Sequence, residues 1–166
     1  MDFALILPDN LLSAANPHER VCACLNPSFA TSLRMTNFFA YGSLQLPEVM
    51  LAVTGQSIAS QPAVLLNYAR YRLRDKSFPG IRPEPGALVD GRVYWHLDRN
   101  ALARLDRFED DFYHRETVFI ATADGKEWAA EAYVMNRASH AMLLPEPWSL
   151  ADFKRDKLAA FLLSHE

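Results

Sequence analysis

The sequence predicts an α+β domain on a largely antiparallel or mixed sheet, of the kind whose short edges close into a small barrel. Three observations carry this. Several segments after residue 35 alternate apolar and polar residues with period two. Two or three short helical patterns are scattered among them. Few strand–helix–strand units occur, and a doubly wound parallel sheet would need many. A chain of 166 residues, half of them apolar, can bury one continuous core without metals or disulfides.

The elements follow in order. Residues 1–34 lack a sustained period. "MDFALILPDN" has a short apolar run cut by Pro8 and Asp9 with no basic residue ahead of it, so it is not a secretory signal. Asp2, Asp9 and Glu19 count against a mitochondrial presequence. The expectation is an N-terminal extension over 1–34, either a flexible tail or an over-extended gene reading with Met35 as the start, and one domain over 35–166.

"NFFAYG" (37–42) reads as a short strand, apolar on both faces. "LPEVMLAVTG" reads as a helix with Pro47 in its first turn and Gly55 closing it. Residues 62–74 form one long strand or two with a bend, in which Ala69, Tyr71 and Leu73 oppose Arg70, Arg72 and Arg74. A proline–glycine passage, "FPGIRPEPG" (78–86), separates this from "ALVDGRVYWHL". There Val93, Trp95 and Leu97 oppose Arg92, Tyr94 and His96. Asp98 caps a helix running to about 109. Asp124-Gly125 is a favoured two-residue hairpin turn between strands near 115–122 and 127–135. Ser149 caps a C-terminal helix, with Trp148 and Phe153 at the positions of a hydrophobic staple.

Charge and composition exclude several classes. A net charge of −3 provides no broad field for nucleic acid or an anionic membrane, and no apolar run reaches the length that spans a bilayer. The arginine face at 70–74, with Lys76, reads as solvated rather than as an RNA contact. Cys22 and Cys24 stand too close for a disulfide scaffold, which suits a reducing cytoplasm. His18 beside them lacks a fourth ligand at a zinc-like spacing, and 109–111 has no calcium-loop spacing, so no metal is expected. Ser43 sits in no nucleophile elbow, and His96 and His114 read as surface and turn residues.

The unusual residue is Glu109. It lies four residues after Leu105 and seven after Leu102, so it continues the apolar stripe of its helix. Burial, the helix C-terminus and the adjacent Asp110 and Asp111 would all raise its pKa towards the range of a general base. The alternative is that Glu109 reaches water or pairs with Arg115.

"FFAYGSL", "FPGIRPEPGALVDGRVYW", "LDRFEDDFYHRETV" and "AAEAYVM", in this order from about residue 37 to 135, resemble the gamma-glutamylcyclotransferase-like family. That family includes the plant avirulence-induced proteins and the gamma-glutamylamine cyclotransferases. The resemblance implies a small mixed β-barrel with helices outside. It implies a substrate-binding loop at Tyr41, Gly42, Ser43 and Leu44, extending to Gln45 and Leu46. It puts the acid/base at Glu109, with Tyr113, Arg115 and Tyr133 nearby. The family usually has Gly where Asp110 stands.

The implied reaction is intramolecular cyclisation of a small γ-glutamyl compound to 5-oxoproline with release of an amine or amino acid. It implies no metal or nucleotide cofactor and a monomer or weak dimer. The segment 76–87 and the C-terminal helix are expected on the leaving-group side. A non-enzymatic binding module on the same barrel, and more distantly an RNA-associated domain, are the alternatives.

Overall fold

The computed structural model describes residues 35–163. The readings made of residues 1–34, including Met35 as the start and the His18, Cys22 and Cys24 group, lie outside the described residues. Five strands form a closed mixed barrel: β1 (Thr36–Ala40), β2 (Ser60–Leu73), β3 (Pro79–Leu97), β4 (Tyr113–Thr122) and β5 (Glu127–Met135). They are ordered β3-β1-β5-β4-β2, and β2 pairs with β3 to close the ring. Only β1–β5 is parallel. A two-residue strand, β6 (Leu143–Leu144), adds to β2 outside the barrel. Around it lie α1 (Pro47–Thr54), α2 (Arg99–Phe108), α3 (Leu150–Asp156) and α4 (Leu158–Leu163).

Alternating side chains build two cores from one set of strands. The interior is filled from all five strands, by Phe39, Leu65, Val93, Ile120 and Val134 among others. The opposite faces carry Phe38, Tyr94 and Met135, which pack with Met50 of α1, Leu105 of α2 and Phe153 of α3. Gly91 allows β1 to cross β3 closely: a Cβ there would fall 2.3 Å from the Phe39 ring and 2.4 Å from the Ala40 carbonyl.

Local chemistry explains the helices. Pro47 starts α1, and Gly55 ends it in the left-handed conformation (φ 70°). The Asp98 carboxylate accepts from the Ala101 amide at 2.7 Å, capping α2. Ser149 Oγ accepts from the Asp152 amide, and the Trp148 and Phe153 rings lie 6.3 Å apart.

Five details differ from the sequence expectation. The passage 78–86 is not a connection: from Pro79 it is strand, paired only with β2 there, so its alternately placed prolines leave no ladder bond unmade. Tyr94 is buried rather than on a polar face, because α1 and α2 cover that side of the barrel. The register between β1 and β3 also shifts beyond it, with His96 at φ 58°. The 122–126 turn has three residues between its bonded ends, with Gly125 left-handed. The last helix is broken at Lys157 into α3 and α4. Finally, Arg70 turns inward to bond the carbonyls of Tyr41 and Asp90.

Candidate active site

Where β1 ends at Ala40, the chain bends through a single 3₁₀ turn at Ser43–Gln45, closed by Gln45 N–H to Gly42 O and Leu46 N–H to Ser43 O. The bend is held from behind through its carbonyls. Tyr94 Oη donates to Leu44 O at 2.8 Å, Gln45 Nε2 to Tyr41 O at 2.9 Å, and Arg70 Nη1 to the same Tyr41 oxygen at 3.0 Å. The Ser43 and Leu44 amides and the Ser43 hydroxyl, in contrast, have no partner among the described residues, and both residues line a cavity. Gly42 makes the bend compact, since a Cβ there would lie 3.0 Å from Pro79 Cδ.

The cavity encloses about 240 Å³. Tyr41, Gly42, Ser43 and Leu44 line it together with Glu109, and Tyr113 and Tyr133 complete the polar lining with Asp110. Glu109 is the C-terminal cap of α2, its amide bonded to Leu105 O at 3.1 Å. Ala101, Leu102 and Leu105 of the same stripe are buried, so the helix delivers the carboxyl to an apolar wall. That carboxyl has no hydrogen bond or ion pair among the described residues. Burial, and secondarily the charge of Asp110, pushes it up to about 8.

Three phenols stand near Glu109, and none gives it a proton to share. Tyr41 Oη donates to Tyr133 O, Tyr113 Oη to Pro79 O (both 2.7 Å) and Tyr133 Oη to Asp106 Oδ1 at 2.8 Å. Burial raises all three phenols, and the Glu109 charge adds to each. With the nearby donors committed elsewhere, the desolvation of Glu109 goes uncompensated.

Three expected site residues lie off the cavity lining. Arg115 holds Asp106 through two bonds, at 2.9 and 3.3 Å, and reaches Glu131 at 3.4 Å. It therefore supports Tyr133 from outside and does not pair with Glu109. Gln45 braces the bend, and Leu46 is core. Asp110 does not adopt a left-handed backbone, so replacing the usual glycine demands no strain; its carboxylate pairs with Lys76 at 3.3 Å. The remaining wall comes from Ser77, Phe78 and Pro79 and from Phe108, Phe153 and Phe161. The first group and the last two phenylalanines fall in the segments expected on the leaving-group side. No sequence signal assigned Arg70 or Asp106 a place here, since both read as surface charges. Among the described residues no cluster of His, Cys, Asp and Glu could hold a metal ion, and no helix is long and apolar enough to cross a membrane.

Comparison with known proteins bears on family and fold. The family profile described as "Gamma-glutamyl cyclotransferase, AIG2-like" matches residues 38–150. The chain is 32% identical over 120 residues to AIG2-like protein C of Arabidopsis thaliana, covering 72% of this chain and 69% of that protein. It is similar to a solution structure from Arabidopsis thaliana with TM-score 0.61 and 30% identity, over 80% of this chain and 89% of that one. It is also similar to a solved protein named gamma-glutamyl cyclotransferase, with TM-score 0.54 and 26% identity, over 61% and 66% of the two chains.

Proposed function

The chain belongs to the AIG2-like gamma-glutamyl cyclotransferase family, and on that premise we propose that it converts a small γ-glutamyl amide into 5-oxoproline and a free amine. The observation that carries the reading is the Glu109 carboxyl, without a partner among the described residues, lining the same cavity as the 41–44 bend.

The substrate brings its own nucleophile. Attack of its α-amine on its γ-carbonyl closes a five-membered ring, so a site that holds the folded conformer removes much of the entropic barrier. The Ser43 and Leu44 amides and the Ser43 hydroxyl are available donors for the α-carboxylate or for the oxygen that becomes negative on attack. The α-ammonium must lose a proton before it can attack. Raising Glu109 from 4.5 to about 8 brings the carboxyl much closer to the range of an amine, so the transfer is far less uphill than to an ordinary carboxylate. Glu109 then returns the proton to the departing nitrogen as the C–N bond breaks, and the second proton of the new ring nitrogen leaves to solvent as the lactam forms. Tyr41, Tyr113 and Tyr133 shape the site, while Gln45 and Arg115 brace it from behind. The paucity of cysteine suits the cytosol.

The test is release of 5-oxoproline from a panel of γ-glutamyl amines and amino acids. Turnover is expected, with kcat/KM falling as pH drops below about 8 because only the ionised Glu109 accepts the proton. Binding without turnover across the panel would instead favour a binding module.

A further inference from the structure

Resting on the cyclotransferase reading and deepening it, we propose that the released amine is an apolar aromatic one, its ring seated against Phe78, Phe108, Phe153 and Phe161. Three parts of the fold converge to make that wall. Phe78 precedes β3, Phe108 ends α2, and Phe153 and Phe161 belong to α3 and α4. Three of these rings already meet edge to face, while Phe78 stacks on Phe112. Phe108 and Phe161 lie 5.8 Å apart at 82°, and Phe153 and Phe161 6.4 Å apart at 62°. A further ring extends such a cluster in the same geometry.

The polar atoms of the cavity argue for the same division. The glutamyl part of the substrate carries an ammonium and a carboxylate, and these match the Glu109 carboxyl and the donors at Ser43 and Leu44. Asp110 is already taken by Lys76. Lys76 itself stands over the Phe78 ring at 5.5 Å, outside the lining and with its charge paired to Asp110. The cavity lining has no Lys, Arg or His, and both of its charged side chains are carboxylates. A leaving group with its own carboxylate would therefore be desolvated without a cation to pair with. Cations do occur in an adjoining groove that shares Ser77 and Phe153, where Arg72, Lys76, Arg155 and Lys157 stand. A longer, acidic leaving group would have to reach that far.

The experiment compares three substrates of the full-length protein: γ-glutamyl-phenethylamide, γ-glutamyl-methylamide, which lacks the ring, and γ-glutamyl-phenylalanine, which adds a carboxylate. The kcat/KM for 5-oxoproline release is expected to be at least about tenfold higher for the phenethylamide than for either of the others. Phe161→Ala should bring the phenethyl-to-methyl ratio towards one. A phenethylamide value equal to or below either companion overturns the inference while leaving the cyclotransferase reading standing. A ratio unchanged in Phe161→Ala overturns the assignment of the wall. Absence of 5-oxoproline from all three overturns the cyclotransferase reading, and the inference with it.

Discussion

Asp106 and Glu109 stand three residues apart at the end of one helix, and the fold treats their carboxyl groups in opposite ways. Asp106 accepts two bonds from Arg115 and one from the Tyr133 hydroxyl at a half-open surface. Glu109 faces the cavity with no partner among the described residues. The difference teaches that the basicity of Glu109 comes from its surroundings: of the three phenols lining the cavity, the one that donates to a side-chain carboxylate donates to Asp106. One carboxylate organises the wall and the other is left reactive within it.

Substituting each partner tests this contrast. The largest effect is expected from Glu109→Gln, which keeps shape but cannot carry a proton. Turnover should fall by about 10³-fold or more with substrate binding retained, measured by 5-oxoproline release and calorimetry.

The same substitution should reveal a stability cost. The folded chain holds the Glu109 proton up to about pH 8, whereas an unperturbed glutamate loses it near 4.5. The native state therefore binds the extra proton between those values, and stability declines as pH rises across the window. Glu109→Gln removes that decline. It should be more stable than the wild type by on the order of 2 kcal/mol at pH 9 and nearly equal to it at pH 4, by urea unfolding.

Asp106→Ala takes away the acceptor of Tyr133. A loss of about 1 kcal/mol is expected. The freed hydroxyl can then turn to Glu109, so the midpoint of the kcat/KM profile should move to lower pH. Adding Tyr133→Phe should move it back. A profile that stays put in Asp106→Ala would break the link between the two carboxylates. The smallest effect is expected from Gly42→Ala, whose Cβ would press on Pro79 Cδ at 3.0 Å. About 1 kcal/mol or less of stability should be lost, with a few-fold drop in turnover as the bend shifts.

The Glu109 half of this contrast could be read in the chain; the Asp106 half could not. The spacing of Glu109 from Leu102 and Leu105 placed it on the apolar stripe, and Asp98, Pro47 and Gly55 bounded their helices through local chemistry that survives in the fold. What escaped depended on closure of the barrel. Pro79–Gly86 reads as a break until β2 pairs along it and leaves its other edge free of ladder bonds. Tyr94 sits at a polar-looking position of an alternating strand, but both faces of that strand are covered. Arg115 is close to Glu109 in sequence, yet β4 turns it towards Asp106 and Glu131. Arg70 looks like one of a row of solvated arginines until the strand brings it beneath the Tyr41 carbonyl. Period and capping are local properties, whereas the direction a side chain finally takes depends on partners far along the chain.

The most direct measurement is a pH titration of the Glu109 side-chain carboxyl by ¹³C NMR in the substrate-free protein, assigned by its loss in Glu109→Gln. A midpoint near pH 8 is expected for a half-buried carboxyl at the cavity wall that has no partner among the described residues. A midpoint near 4.5 would mean that water or a donor already satisfies it, and would contradict the role assigned to it.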